Sequence, residues 1–548
     1  MNIINRVNNN PENIIIKQED DVKKLLYEGV KLMYDVVSNT LGPYGKTVII
    51  ESGNRKSIVT KDGVTILKNI YSNDSIENIA LELCKQASNK MLEDVGDGTT
   101  TTTILLKNIL EFGIEVLKQN KGKYIPSIVA KGMEVAVNEV INYVNDNKFT
   151  IDTSLKTSIG FIKNVVNVAT NYDKVATDLI MKAYSYKMES NDNIEIDVVE
   201  TNINESYVTS HKGMVYDAGF MSPLFINDNV TNSCIFDEET GVLILNYDVR
   251  GIQNIMPILE KFSSSENPLV IFVNDIDQNT LKGVLASITT NGLKIAFVKN
   301  NPAFDIRKYE LNDLSHYTGA TILNKGDEIT LAHVGILSYI KIQRYKSLLK
   351  KHDEIDISEY AESIKKSFEE GKFNSIDKIV DENYFNRRIS NLTGSIATIH
   401  IGSNSEVERK ELYDRVEDGV FSLKHAISSG IIPGGGTTFL RSYKYLLEKT
   451  DKEEDVNIKI GMLIISSSLT SILERLLESR GDIKSDTEII QSVLKDDNFN
   501  VGYNLITGEI SNLLIAGIIE AFDIFKYSLL NASSVAKTIL FSSSIIKN

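Results

Sequence analysis

The chain has 548 residues, room for roughly three or four domains, and 42% of them are hydrophobic, which excludes a disordered chain. Its net charge of −15 argues against nucleic acid as a partner, because phosphate contacts need clustered Lys and Arg. Two distant cysteines, Cys84 and Cys234, and six histidines without ligand spacing exclude a disulfide framework or a Cys/His metal centre, so both thiols read as buried or idle.

Leu26, Val30, Met33 and Val37 are spaced four, three and four apart, which predicts one face of an amphipathic helix. Thr40-Leu-Gly-Pro-Tyr-Gly-Lys46 breaks it. Thr47 to Ile50 and Ser57 to Thr60 read as strands, and Thr60 to Gly63 as the turn into a helix starting near Val64. Residues 76–92 read as a helix with Ile79, Leu83 and Ala87 on one face. Ile104 to Leu117 reads as a mostly buried helix whose polar stripe is Lys107, Asn108, Glu111 and Glu115.

From about Ile194 to Ile340 short β-rich runs alternate with helices: Cys234 to Phe236, Gly241 to Leu245, Leu269 to Val273, Lys294 to Val298 and Ala320 to Leu323. Tyr345 to Lys372 reads as a charged, solvated helix, and from Val416 to Leu540 the chain is again largely helical. Helical, mixed, helical predicts a domain interrupted by an insertion. Leu513 to Ile519 comes nearest to a membrane span and falls short of the roughly 18 residues that one needs. The first residues, MNIINRVNNNPENI, lack an apolar signal core. Together these favour a cytoplasmic protein, in a host cytoplasm if virally encoded.

Asp94-Val-Gly-Asp-Gly-Thr-Thr-Thr-Thr-Thr-Ile-Leu105 is the stretch richest in chemistry. Its glycines permit close backbone approach, the threonines open a helix whose N-terminus suits phosphate, and Asp97 could hold a hard cation such as Mg2+. It is not a Walker loop, since no Gly-Lys-Thr or Gly-Lys-Ser closes it. Taken alone, it reads equally well as a plain helix cap.

Five motifs then occur in order: Thr40-Leu-Gly-Pro-Tyr-Gly-Lys46, Thr60-Lys-Asp-Gly-Val64, Gly96-Asp-Gly-Thr-Thr-Thr101, Arg415-Val-Glu-Asp418 and Gly434-Gly-Gly436. With Gly213 to Pro223 and Gly502-Tyr-Asn504 they resemble GroEL-type (group I) chaperonins over essentially the whole chain. Group II chaperonins share the first three motifs, but the middle region is more similar to the group I segment. The resemblance implies a multidomain α and α/β fold. Its parts are a helical equatorial domain (1–147 and 431–548), a small intermediate domain (148–212 and 395–430) and an α/β apical domain (213–394). It also implies a homo-oligomeric ring, usually heptameric, acting as an ATP-dependent chaperone on non-native polypeptides, with ATP hydrolysis as timer. The alternative is a ring-forming passive binder with little or no turnover.

By the same resemblance, Thr40, Leu41, Gly42 and Pro43 line the phosphates and base, and Gly98, Thr99, Thr100 and Thr101 bind phosphate. Asp97 ligates Mg2+, and Lys61 and Thr40 lie near a monovalent cation such as K+. Asp418 activates the attacking water with Asp62 beside it. Gly435, Asn504, Leu505, Ile506 and Glu520 meet the ribose or adenine. Leu505 and Ile506 stand where small alanines are usual, and Glu520 stands where an Asp is usual. Asp418 lies outside the equatorial segments, so hydrolysis waits on a domain movement. Phe220, Leu224, Phe225, Met256, Leu259, Leu281, Leu285 and Ala286 match the apical groove for apolar segments of non-native chains and for a GroES-type lid. Gly213, Gly394 and Gly430 match hinges.

Overall fold

The computed structural model describes residues 19–545 apart from 52–57, 154, 156, 191–193, 202, 230, 266, 302, 303, 370–387, 390, 393 and 482–485. The N-terminal stretch read above for a signal core, and the end of the charged segment beyond residue 369, lie outside them. The chain divides into two compact units, Met1–Met181 with Asn202–Asn204 and Gly402–Asn548, and Lys182–Thr201 with Glu205–Ile401.

The first unit opens with α1 (Glu19–Val37), which buries Val22, Leu26, Val30, Met33 and Val37. β1 (Val48–Ile50) and β2 (Ile58–Thr60) pair antiparallel and lead into α2 (Gly63–Asn69). In α3 (Ser75–Asp94) the buried stripe is Ile76, Ala80, Leu81, Cys84, Ala87 and Met91. Ile79 and Leu83, expected at its centre, are its half-buried flank, because α3 is rotated to pack Ala80 against Gly29 of α1. α4 (Thr99–Gln119) is as buried as expected. Its one deviation is Asn108, buried because its amide donates back to Ile104 O at 2.8 Å. α5 (Pro126–Asn147), α6 (Ser158–Ala169) and the start of α7 (Lys174–Ser190) follow.

The second unit begins with β3 (Ile194–Glu200) and β4 (Tyr207–Lys212), which flank β13 (Ser395–Ile401) in a three-stranded sheet. The other strands here form an eight-stranded mixed sheet. They are β5 (Met214–Tyr216), β6 (Cys234–Phe236), β7 (Thr240–Val249), β8 (Leu269–Ile276), β9 (Ile295–Lys299), β10 (Ile322–Leu323), β11 (Gly335–Ile342) and β12 (Ser347–Lys351). β7, β8 and β9 run parallel, and β10 joins β7 in parallel. Their unbroken apolar runs suit strands buried on both faces. The helices are α8 (Met256–Ser265), α9 (Gln278–Asn291), α10 (Phe304–Thr318) and α11 (Ser358–Glu369).

The segment expected as one charged helix from Tyr345 thus divides. Ser347–Lys351 is a strand between β5 and β11, with Leu348 and Leu349 buried, and the helix starts only at Ser358. Burial of two leucines within a sheet outweighs the charge of the flanking lysines. Buried Lys341 on β11 meets Asp197 of β3 at 2.7 Å and donates to Val198 O, tying the two sheets together. The hinge candidates Gly213 and Gly394 face each other through a 3.1 Å backbone hydrogen bond. Gly213 is needed for close approach, since a Cβ there would come within 2.3 Å of Ile396.

The first unit then resumes with α12 (Glu406–Ser429), β14 (Ile431–Pro433), α13 (Thr437–Asp451), α14 (Val456–Ser468), α15 (Ser471–Arg480) and α16 (Asp486–Leu494). The hairpin β15 (Val501–Asn504) and β16 (Glu509–Asn512), the short α17 (Leu513–Ala516), β17 (Ile519–Ala521) and α18 (Phe522–Leu540) complete it. The helical stretch Val456–Arg480 is long and apolar enough to cross a membrane, longer than the run expected from sequence. Most of it is buried among α4, α5 and α13, as in the core helix of a globular unit. The helices α6 and α12 of the segment expected as an intermediate domain belong to the first unit, and its strands β3, β4 and β13 to the second.

Candidate nucleotide site

The two ends of the first unit build one deep pocket. Its floor is the turn before α4. Gly96 and Gly98 have φ of 82° and 88°, in the left-handed region that glycine adopts without strain. Gly98 is the N-cap of α4 and has no side chain to satisfy the first N–H groups of the helix, which leaves them free for an anion. Of the five threonines, Thr99, Thr100 and Thr101 line the pocket. Thr102 and Thr103 instead donate to Gly98 O and Thr99 O, each at 3.0 Å.

Thr40, Leu41, Gly42, Pro43, Lys61, Asp62, Asp97, Asp418, Gly435, Leu505, Ile506 and Glu520 all line the same pocket. Thr40 Oγ1 lies 3.4 Å from Thr100 Oγ1 and joins two motif loops. Asp62 is the N-cap of α2, its oxygens accepting from Val64 N at 3.0 Å and Thr65 N at 2.8 Å. Asn504 is absent from the lining. Its Oδ1 accepts from Ile506 N at 2.9 Å and Thr507 N at 3.2 Å, closing a turn.

Asp97 accepts from Gly98 N–H on one oxygen and from Ser422 Oγ, at 3.0 Å, on the other. Burial pushes its carboxyl up and Asp62 adds to the rise, while the two donors pull it back. Asp418 is held well above the usual carboxylate range by burial first, then by the charges of Asp97 and Asp62. Asp414, one turn before it, is pushed up to about 7, again mainly by burial. Glu520 reaches about 8 through burial and the charge of Asp97, and its Oε1 is enclosed without a hydrogen-bond donor among the described residues. Among the described residues no three acidic, His or Cys side chains form a metal cage. Asp97 lines the pocket beside Gly98 and the threonines, and a carboxylate there suits a cation that takes its other ligands from phosphate and water.

The raised Glu520 value carries a sign. Between its ordinary value of 4.5 and about 8 the folded chain keeps a proton that the unfolded chain releases. Stability therefore falls as pH rises through that window. Glu520→Gln is expected to remove this slope: its thermal midpoint should match the parent near pH 4.5 and exceed it by several degrees at pH 8.5. Parallel midpoint–pH curves would contradict the assignment.

Beyond the Arg415–Asp418 motif, sequence reading missed the residues that α6 and α12 bring to the pocket. Val165, Val168 and Ala169 of α6 line it, as do Asn171 and Tyr172 just beyond. These last two have φ of 50° and 60°. For tyrosine that is a strained conformation, of the kind that gathers at functional sites. Glu411, Asp414, Asp418 and Ser422 form one face of α12, and their i, i+3, i+7, i+11 spacing was the available signal. His425, one turn further on, meets Asp523 of α18 at 2.9 Å. Cys84 and Cys234 are buried, with thiols pushed up to about 12, as expected of idle cysteines.

In the second unit the apolar residues expected to hold substrate divide. Leu224 is 71% exposed and Ala286 is exposed, while Phe220, Met256, Leu281 and Leu285 are half-buried. Phe225 and Leu259 are core residues at 4% and 3% exposure, the first packed on Phe297. α8 and α9, which carry five of the eight, both pack against the turn Ile252–Asn254.

A model of the TCP-1/cpn60 chaperonin family matches residues 33–548. Mitochondrial heat shock protein 60 of Candida albicans is 30% identical over 518 residues, 93% of this chain and 88% of that protein. The chaperonin GroEL of Methanoregula boonei is 29% identical over 538 residues, 96% and 95% of the two chains. Among solved structures, the chaperonin gp146 of bacteriophage EL (Pseudomonas aeruginosa), crystallised with ATP-BeFx, superposes with a TM-score of 0.68. It is 20% identical and covers 97% of this chain and 99% of its own, a likeness of fold.

Proposed function

The chain belongs to the TCP-1/cpn60 chaperonin family, and from that membership we propose a folding cycle timed by the pocket beneath α12. The protein is an ATP-dependent chaperone and an ATPase that binds non-native polypeptides, promotes their folding and assembles into an oligomeric ring. In the finer reading the equatorial, intermediate and apical domains keep the boundaries inferred from sequence.

The observation that carries the site assignment is the convergence of Asp418 with Asp97, Asp62 and the glycine-threonine turn in one pocket. Phosphate lies on Gly98, Thr99, Thr100 and Thr101, with Thr40, Leu41, Gly42 and Pro43 opposite. Asp97 holds Mg2+; when bound, the ion neutralises charge on the phosphate oxygens. A monovalent cation such as K+ sits near Thr40 and Lys61. Asp418 accepts the proton of the attacking water and Asp62 helps to hold that water in line. Gly435, Leu505, Ile506 and Glu520 enclose the nucleoside, with Asn504 shaping the turn behind it.

Leu224, Phe220, Met256, Leu281, Leu285 and Ala286 offer the apolar surface for non-native chains, and Phe225 and Leu259 brace it from the core. A GroES-type lid competes for that surface. The ring is heptameric, single or double, and works in the cytoplasm without nucleic-acid or membrane partners.

Dilution of a chemically unfolded model enzyme into the chaperone tests this reading. ATP should raise the recovered activity well above the nucleotide-free level, and Leu224→Ser should weaken capture. Equal recovery with and without ATP would overturn the reading.

A further inference from the structure

Asp418, Ser422 and His425 are spaced four and three apart on α12 and so share one face. Each meets a different part of the first unit. Asp418 enters the pocket, Ser422 donates to Asp97, and His425 pairs with Asp523 on α18. Phe421, beside Ser422, covers the turn itself: a Cβ on Gly96 would come within 2.3 Å of its ring.

Ser422 is 1% exposed, and its hydroxyl reaches Asp97 Oδ2 at 3.0 Å. The other oxygen of Asp97 accepts from Gly98 N–H. These two bonds differ in kind. The Gly98 bond is local to the turn. The Ser422 bond comes from α12, 325 residues away in sequence. Together they fix the plane of the carboxylate; with the local bond alone, rotation about the Cβ–Cγ bond remains. An orienting donor behind a metal-binding carboxylate commonly changes metal affinity.

We propose that Ser422 is a positioning residue: it couples the helix that carries Asp418 to the orientation of the cation-binding carboxylate of Asp97. This rests on the assignment of Mg2+ to Asp97. The base and the donor that orients the metal ligand thus stand on one face of one helix. Ser422 itself touches no reacting atom.

The test is equilibrium binding of ADP by titration calorimetry, with Mg2+ and with EDTA, to the parent, Ser422→Ala, Ser422→Thr and Asp97→Ala. Turnover does not enter. The parent should bind more tightly with Mg2+, and Asp97→Ala should lose that gain. Ser422→Ala should lose roughly tenfold of it, the scale of one hydrogen bond to a charged group, with its EDTA affinity unchanged, and Ser422→Thr should recover most of the loss. A full Mg2+ gain in Ser422→Ala would overturn the coupling alone. Equal losses in Mg2+ and EDTA would also overturn it, because they mark a merely structural serine. A parent without any Mg2+ gain would overturn the metal assignment and the coupling with it.

Discussion

Asp418→Ala is expected to lower ATP turnover by about two to four orders of magnitude, the range that loss of a general base covers, while nucleotide affinity stays within a few fold. The expectation follows from placement. Asp418 is enclosed in the pocket with Asp62 and Asp97, and it is the one of the three that neither caps a helix nor closes the glycine turn. Removing it takes away a base without disturbing the phosphate loop. Asp418→Asn should be nearly as slow, because an amide keeps the shape and cannot take a proton. Steady-state phosphate release gives the rate, and ADP titration gives the affinity. A parallel fall in both would mean that Asp418 shapes the pocket and performs no proton transfer.

Asp97→Ala is expected to act differently, weakening Mg-nucleotide binding by roughly a hundredfold or more and lowering turnover with it. A carboxylate facing the phosphates without its cation is repulsive, so its role depends on the metal. Removal should therefore hurt binding strongly in Mg2+ and little, or favourably, in EDTA. Loss of Gly98 N–H and Ser422 Oγ as partners adds a smaller cost, since both donors are left unpaired. Unchanged Mg2+-dependence in Asp97→Ala would move the metal to another of the pocket's carboxylates, Asp62, Glu411, Asp414, Asp418 or Glu520.

Much of the fold was legible because its signals are local. The 3.6-residue spacing of Leu26, Val30, Met33 and Val37 needs only its own helix to bury it. The apolar runs of β7, β8 and β9 needed only each other. Where the reading failed, distant packing decided. Ile79 and Leu83 gave way to Ile76 and Ala80 because Gly29 of α1 admits a small neighbour. Leu348 and Leu349 became a strand through pairing with β5 and β11, which no window of sequence contains.

The pocket shows the same division. Its phosphate loop is written in consecutive residues, and Asp418 in a recognisable motif. Ser422, Asp414 and Tyr172 carry no motif, since each matters only because α12 and α6 lie against a turn more than sixty residues away in sequence. Asn504, by contrast, sits in a recognisable motif yet turns its side chain into its own backbone.

The central claim is that hydrolysis by a base on α12 times the release of a folding protein. Its most direct measurement follows ATP hydrolysis and client release side by side, with an unfolded client bound, in the parent and in Asp418→Ala. The account predicts that the parent hydrolyses ATP and releases active client on the same timescale, while Asp418→Ala binds ATP, hydrolyses almost none and leaves its client unreleased. A parent that hydrolyses ATP no faster than Asp418→Ala, yet still returns active client, would contradict it and leave a passive binder of unfolded chains.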